Sequence, residues 1–269
     1  MDTSVELLVL KLVIAPVFVG VLSLVALRYG HRTAGWLVAL PVNSGTIIFV
    51  LTLSEGPSFA ASVALGALLG IVSLSVFTIT YARSALRLPW PACLGLACLG
   101  FVASTLLLSR FPEVVVGELV AAVVAVAVVL RLVPVGKELE EPPNPPRWEI
   151  PLRMLTAATL VLVITTTAES LGPRLSGLLS PIPVFTITLV IFTHSRHGPA
   201  PVFVFLNGLQ YGLFSFAAFC VVVGVLLVPE GLPLSFAAGL AAFLAVYVVV
   251  RKLIGRAGGR ARAALQASP

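Results

Sequence analysis

Two apolar segments of the chain each carry a proline followed by small hydroxyl side chains. The first reads GWLVALPVNSGT and the second GLLSPIPVFTIT, which places Pro41 and Pro183 inside stretches long enough to cross a membrane. A proline within a helix removes one intrahelical hydrogen bond and frees carbonyl groups of the preceding turn. Paired proline-broken helices at corresponding positions are typical of binding sites in transporters. The alternative is a simple bend, with the hydroxyl groups bonded back to their own helix.

The candidate substrate-binding residues extend from these segments to nearby basic and amide side chains. Two arginines that precede the proline segments can hold a phosphate or carboxylate group, or can anchor the chain at the membrane interface. A polar cluster in the second half either contacts substrate or hydrogen-bonds a neighbouring helix. The predicted set is Arg32, Pro41, Asn43, Ser44, Thr46, Arg174, Pro183, Thr186, Thr188, Asn207, Gln210 and Tyr211. Glu118 and Glu169 are candidate acids for coupling to protons or cations, with an interfacial position as the alternative.

Sequence motifs for catalysis and metal binding are absent. No H-E-x-x-H, P-loop, G-x-S-x-G or paired aspartate motif occurs, so we predict no enzyme activity, catalytic residue or cofactor. The three cysteines lie in apolar runs, where a thiol packs as a small hydrophobic group, and no metal site is expected from them. His31, His194 and His197 are expected in short solvated loops, with weak metal binding as the alternative.

The elements that must position these residues are membrane-spanning helices. Hydrophobic residues make up 59% of the 269 residues and charged residues only 10%, against about 25% charged residues in a soluble domain. Many long apolar runs produce the mean hydropathy of +1.10. We therefore predict an all-α polytopic membrane protein of about nine transmembrane helices, which start near Leu7, Gly35, Ser58, Pro89, Val114, Pro151, Ser176, Pro199 and Leu232.

The two proline segments belong to a longer internal repeat. At the offset of 142 positions that separates Gly35 from Gly177, the two halves match without a gap. The coincident pairs include Arg32 and Arg174, Pro41 and Pro183, Thr46 and Thr188, Pro57 and Pro199, Gly66 and Gly208, and Gly70 and Gly212. Each copy holds four helices, and a fifth, rich in Val and Ala, separates them. The copies are therefore expected to have opposite orientations, as in many secondary transporters.

This repeat predicts the organisation of the whole chain. Repeat 1 covers residues 1–110, and a linking helix with a Pro-rich cytoplasmic linker covers 111–150. Repeat 2 covers residues 151–255, and a basic cytoplasmic tail covers 256–269. The GALLG and GLQYG stretches in the third helix of each copy place small residues on one face, which favours close helix packing over ligand binding.

Basic residues predict the orientation in the membrane. With the N-terminus outside and the C-terminus in the cytoplasm, 14 of the 17 Lys and Arg residues lie on the cytoplasmic side. The other three are Lys11, Arg110 and Arg174. Lys11 and its counterpart Arg153 are expected to snorkel to opposite interfaces, with a paired role in anion binding as the alternative.

The repeated segments also resemble a known family. The stretch RLSGLLSPIPVFTITLVIFTHSRHG, followed by NGLQYGLFSFAAF, is similar to the GlpM-like family of small bacterial inner-membrane proteins, and so is RTAGWLVALPVNSGTIIFVLTLSEGPS in the first copy. Each copy would correspond to one family member, covering about 50 residues per copy. The resemblance implies a location in the bacterial cytoplasmic membrane and a loose link to the production of envelope polysaccharide, and it supplies no catalytic residue.

Two functional hypotheses follow from these patterns. The first is a small inverted-repeat transporter or flippase for an anionic or lipid-linked envelope precursor. The second is a non-catalytic membrane scaffold, or an accessory subunit of an envelope-synthesis complex, which assembles through its small-residue faces. The expected partners are membrane lipids, with an envelope-synthesis membrane protein or a second copy of the chain as further candidates. No nucleic acid is expected, because the basic tail suits anionic lipid.

Overall fold

The computed structural model describes residues 3–110, 114–138, 146, 148–168 and 183–266. Within this part of the chain all regular secondary structure is α-helical. Four stretches of helix are long and apolar enough to cross a membrane, namely Pro57–Ser84, Trp90–Leu108, Val115–Leu132 and Pro199–Ile254. The lengths and apolar composition of these helices support a membrane protein.

The described residues form nine helices, in agreement with the predicted number. They are α1 (Thr3–Tyr29), α2 (His31–Val38), α3 (Val42–Ser54), α4 (Pro57–Ser84), α5 (Trp90–Leu108), α6 (Val115–Leu132), α7 (Glu149–Ala168), α8 (Val184–His197) and α9 (Pro199–Gln266). The correspondence with the nine predicted spans is not one to one. The second predicted span is divided into α2 and α3, the start predicted near Ser176 lies outside the described residues, and the last two predicted spans are continuous in α9.

Two backbone breaks explain this different division. Helix α2 ends before Pro41, because the proline ring cannot continue the hydrogen-bond pattern of the helix, and α3 begins directly after this proline. Inside α9, Gly231 has φ 76° and ψ 178°, a conformation that residues with a side chain rarely adopt. The start predicted near Leu232 directly follows this second break.

The helices α4 and α9 form the centre of the molecule. Helix α4 packs against α3, α5, α6 and α9, and most of its side chains are buried. The largest fully buried side chains include Phe77 and Tyr81 of α4 and Phe219 of α9. Helices α5 and α6 instead leave many leucines and valines exposed, among them Leu99 and Val116. These outer faces have the composition that suits contact with lipid.

Glycines allow α2 to lie directly on the backbone of α9. A Cβ atom added to Gly35 would collide with the carbonyl oxygen of Phe205, and one added to Gly208 would collide with that of Arg32. Gly212 lies in the same contact, against Ala39. The prediction that the GLQYG stretch packs helices closely is therefore confirmed. At Gly66, the counterpart of Gly208 in α4, an added Cβ would meet no described atom within 4 Å.

Candidate functional site

The two proline junctions have nearly the same local geometry. Pro41 precedes α3 with φ −75° and ψ 38°, and Pro183 precedes α8 with φ −80° and ψ 48°. Both prolines are buried. The carbonyl of Pro41 accepts the first bond of α3 from the N–H of Gly45 at 2.8 Å, and that of Pro183 accepts from Ile187 at 2.6 Å. Each helix therefore starts at its proline, inside the protein rather than at its surface.

Each of these buried helix starts has a hydroxyl group in its first turn. Ser44 is the third residue of α3 and Thr186 the third of α8, and both side chains are buried, Thr186 with only 1% of its surface exposed. The hydroxyl of Thr186 has no hydrogen-bond partner, a condition that costs about 1–3 kcal/mol in a protein interior. The first N–H groups of a helix lack an acceptor within it. In α3 the first of them, that of Val42, donates to the carbonyl oxygen of Leu40 at 2.8 Å.

Two further predicted threonines bond within their own helices. The hydroxyl of Thr46 donates to the carbonyl oxygen of Val42 at 2.6 Å, and that of Thr188 donates to Val184 at 2.9 Å. For this pair the alternative interpretation, hydroxyl groups bonded back to the helix, describes the structure. The side chain of Asn43 lies outside the described part of the chain, as do Arg174 and Glu169.

Gln210 connects the two central helices. Its Oε1 accepts a hydrogen bond from the hydroxyl of Ser75 at 3.2 Å, and its Nε2 donates to the Thr78 hydroxyl at 2.9 Å. All three side chains are buried. Interhelical hydrogen bonding, one of the two roles predicted for Gln210, is therefore its role in this structure.

Asn207 and Tyr211 also have contacts within the protein. The Nδ2 group of Asn207 donates to the carbonyl oxygen of Phe203 in the preceding turn at 2.9 Å. The ring of Tyr211 stacks on Trp36 of α2 at 5.8 Å between centroids, and Tyr247 packs edge-on against the same indole at 4.8 Å. These aromatic contacts reinforce the packing of α2 on α9.

The start of α2 has a partner that sequence reasoning missed. Both carboxylate oxygens of Glu138 face this terminus: Oε2 accepts from the N–H of His31 at 3.1 Å and Oε1 from the N–H of Arg32 at 3.0 Å. The His31 ring nitrogen Nδ1 lies 3.1 Å from the same Oε2. Partial burial raises the pKa of Glu138, but these hydrogen bonds outweigh burial and hold that pKa below its usual value. The predicted anion ligand Arg32 thus meets a carboxylate through its backbone, while its side chain is exposed.

A second charged cluster surrounds the start of α7. The carboxylate of Glu149 is buried and contacts Nη2 of Arg153 at 2.5 Å and Nε of Arg196 at 3.0 Å. Arg153 lies over the ring of Phe192, and Arg196 lies over that of Trp148. Arg153 is buried beside its partner one turn earlier, with 7% of its surface exposed, and its position at the membrane interface stays a prediction.

The histidines also differ from the prediction. His31 belongs to α2, and His194 and His197 belong to α8, so none of the three lies in a solvated loop. Nδ1 of His194 lies 2.9 Å from the hydroxyl of the buried Tyr81. Within the described ranges, no three His, Cys, Asp or Glu side chains are grouped to hold a metal ion. Glu118, a predicted coupling residue, is buried in the first turn of α6.

Comparisons of the chain with protein-family models, with curated proteins and with solved structures found no match. The resemblance to the GlpM-like family therefore stays a prediction. The geometry itself supplies hydrogen-bond donors at two buried helix starts. Each of these starts can attract an anionic group.

Proposed function

We propose that this protein is a small inverted-repeat membrane transporter or flippase that recognises an anionic group at the starts of α3 and α8. An envelope precursor, either a free anion or one linked to a lipid through phosphate, has the chemistry that such a site would select. The proposal includes a location in the bacterial cytoplasmic membrane, with the N-terminus outside and the C-terminus in the cytoplasm.

The boundaries of the helices support the repeat in this proposal. At the 142-residue offset, the first residue of α3 corresponds to that of α8, and Pro57 at the start of α4 corresponds to Pro199 at the start of α9. Gly56 and Gly198, which precede these two prolines, both have positive φ, 92° and 73°. The break at Gly231 falls opposite Pro89, directly before α5. A duplicated four-helix unit would produce these coincidences.

The observation that carries the proposal is the pair of buried helix starts after Pro41 and Pro183. The N-terminus of a helix is equivalent to roughly half a positive charge, and burial away from water strengthens its attraction for an anion. The hydroxyl of Thr186 is an unused donor in one of these turns. Interrupted helices whose N-termini point at anionic groups are how several transporter folds bind substrate near the middle of the membrane.

The alternative role as a scaffold is less well supported. It relied on the small-residue faces of the third helix in each copy. In the second copy this face is already covered, since Gly208 and Gly212 contact the backbone of α2 within the same chain. A partner protein could use that face only by displacing α2.

Transport can be tested with the purified protein in liposomes. Fluorescent polyprenyl phosphate and fluorescent phosphatidylglycerol serve as probes, and bleaching by dithionite reports which leaflet holds them. We expect the protein to accelerate the movement of at least one probe, and Thr186→Val to slow it by about tenfold, the effect of losing one hydrogen bond to a charged group. Thr188→Val is the matched control, because that hydroxyl bonds to its own helix. Rates equal to those of empty liposomes for both probes would refute the proposal as stated.

A further inference from the structure

The cluster at the start of α7 has more positive than negative charge. The single carboxylate of Glu149 contacts two guanidinium groups, those of Arg153 and Arg196. His197, at the end of α8, lies within electrostatic range of all three. Arginine keeps its proton in proteins, so at least one positive charge has no counterion among these side chains.

Two buried nitrogen atoms of this cluster also lack a hydrogen-bond partner. These are Nε of Arg153, which is a donor, and Nδ1 of His197, whose role depends on the tautomer; Oε2 of Glu149, 3.0 Å from Nε of Arg196, makes no hydrogen bond either. Buried donors without acceptors are uncommon, because each costs about 1–3 kcal/mol unless something else satisfies it. The surplus positive charge and the unused Nε donor of Arg153 both favour binding of an anion with acceptor oxygens.

We infer that Arg153, Arg196 and His197 form a binding site for a phosphate group, separate from the helix starts at Pro41 and Pro183. Phosphate offers more acceptor oxygens than a carboxylate does, and the planar guanidinium of arginine matches its geometry. Glu149 holds the two arginines side by side and so sets the width of the site. This site does not depend on transport, because it uses none of the residues of the proposed substrate site.

One edge of the cluster, at Arg196, is accessible. Arg196 has 33% of its side chain exposed, and the neighbouring Trp148 is exposed as well. Leu152 and Leu155 continue an exposed apolar face along α7 from the same point. Tryptophan beside basic residues is typical of the membrane interface, and an apolar flank suits acyl chains. These features favour the phosphate of a lipid headgroup over free phosphate.

The site is also well separated from the one that we propose for transport. Thr186 and Arg196 are ten positions apart in α8, or about 15 Å at the rise of an α-helix. Binding at the two places can therefore be measured independently, by variants that change one and leave the other intact.

Calorimetric titration of the purified protein in a neutral detergent tests the inference. The probes are short-chain phosphatidic acid and inorganic phosphate. We expect saturable binding that Arg196→Gln weakens by about tenfold and Arg196→Lys weakens less, since lysine keeps the charge but loses the planar fork. Arg251→Gln, which removes an exposed arginine of α9 outside the cluster, is the matched control and should bind as the parent does.

The two probes distinguish the sources of the phosphate. Binding of phosphatidic acid that inorganic phosphate does not displace identifies a lipid headgroup, whereas equal competition identifies free phosphate, and either result supports the site. No saturable binding of either probe would overturn the inference. Equal weakening by Arg196→Gln and Arg251→Gln would overturn it too, since it would show attraction to surface charge alone. Because Arg196→Lys retains the pairing with Glu149, it keeps the test valid if Arg196→Gln does not fold.

Discussion

The start of α2 differs from the starts of α3 and α8 in the groups that lie beside the partial positive charge of the helix N-terminus. At α2 the carboxylate of Glu138 accepts two backbone N–H groups, and His31 adds a third contact. At α3 and α8 the residue before the helix is a buried proline, which has no side-chain acceptor to offer. The first terminus is thus satisfied by an anion from the chain itself.

The occupied start of α2 indicates how an anion would bind at the proposed site. The contact between Glu138 and α2 shows that a helix start in this protein binds a carboxylate through its backbone. The starts of α3 and α8 lie deeper in the molecule, with the hydroxyl groups of Ser44 and Thr186 beside them. An anionic substrate would do there what Glu138 does at α2.

The largest expected effect concerns the packing that keeps α2 in place. Gly208→Ala puts a methyl group against the backbone of Arg32. We expect this overpacking to lower the free energy of unfolding by about 1–3 kcal/mol or more. Gly66→Ala, at the corresponding position of α4, meets open space and should stabilise the helix by up to about 1 kcal/mol. Thermal unfolding in detergent measures both. Equal effects at the two positions would show that α2 does not lie on α9 as described.

A smaller effect is expected from removing the anion at α2. Glu138→Ala deletes an acceptor for two backbone N–H groups and should cost about 1 kcal/mol, in the range of other helix caps. Because the pKa of Glu138 is lowered in the folded protein, its contribution is complete above the ordinary glutamate value of about 4.3 and is lost as the pH falls through the folded-state value. Stability measured from pH 7 downward should fall less steeply in the variant.

Glu230→Ala provides the control for that experiment. Glu230 is exposed in α9, so its removal should leave the free energy of unfolding at pH 7 unchanged. If Glu138→Ala behaved like this control, the carboxylate at α2 would act only as a surface charge. The start of α2 would then give no support for anion binding at the starts of α3 and α8.

The smallest expected effect separates structural polar residues from binding ones. Gln210→Leu removes the hydrogen bonds to Ser75 and Thr78, and interhelical bonds in membrane proteins average about 0.6 kcal/mol. We expect a slightly lower unfolding temperature and unchanged binding of anionic probes. Asn207→Leu, which breaks only a bond within α9, is the matched control. Loss of probe binding in Gln210→Leu would show instead that Gln210 belongs to the substrate site.

The local patterns in the sequence predicted much of the architecture. The apolar runs predicted the helices, the ring of Pro41 predicted the break between α2 and α3, and the spacing of Gly208 and Gly212 predicted close packing. Each of these follows from neighbouring residues alone. The role of Gln210 remained open between two interpretations, because the sequence does not say which helix faces it.

What the sequence did not reveal depends on contacts between distant positions. Glu138 reaches His31 across 107 residues, a pairing that no periodicity indicates. The spacing of Glu149 and Arg153 is a helical ion pair that could have been noticed, but Arg196 joins them from a different helix. The short polar stretches between the predicted spans indicate solvated loops, and the three histidines lie in those stretches. Tertiary contacts instead bury His31 at the start of α2.

Cysteine chemistry tests whether the starts of α3 and α8 attract anions, without knowledge of the substrate. In a background lacking the three native cysteines, Ser44→Cys and Thr186→Cys are treated with an anionic sulfonatoethyl and a cationic trimethylammonioethyl methanethiosulfonate. Their rate ratio is compared with that of the exposed control Ser62→Cys. We predict a preference for the anionic reagent several-fold above the control at both positions, because the helix dipole favours negative charge there. No reaction, or the same ratio as the control, would contradict the account.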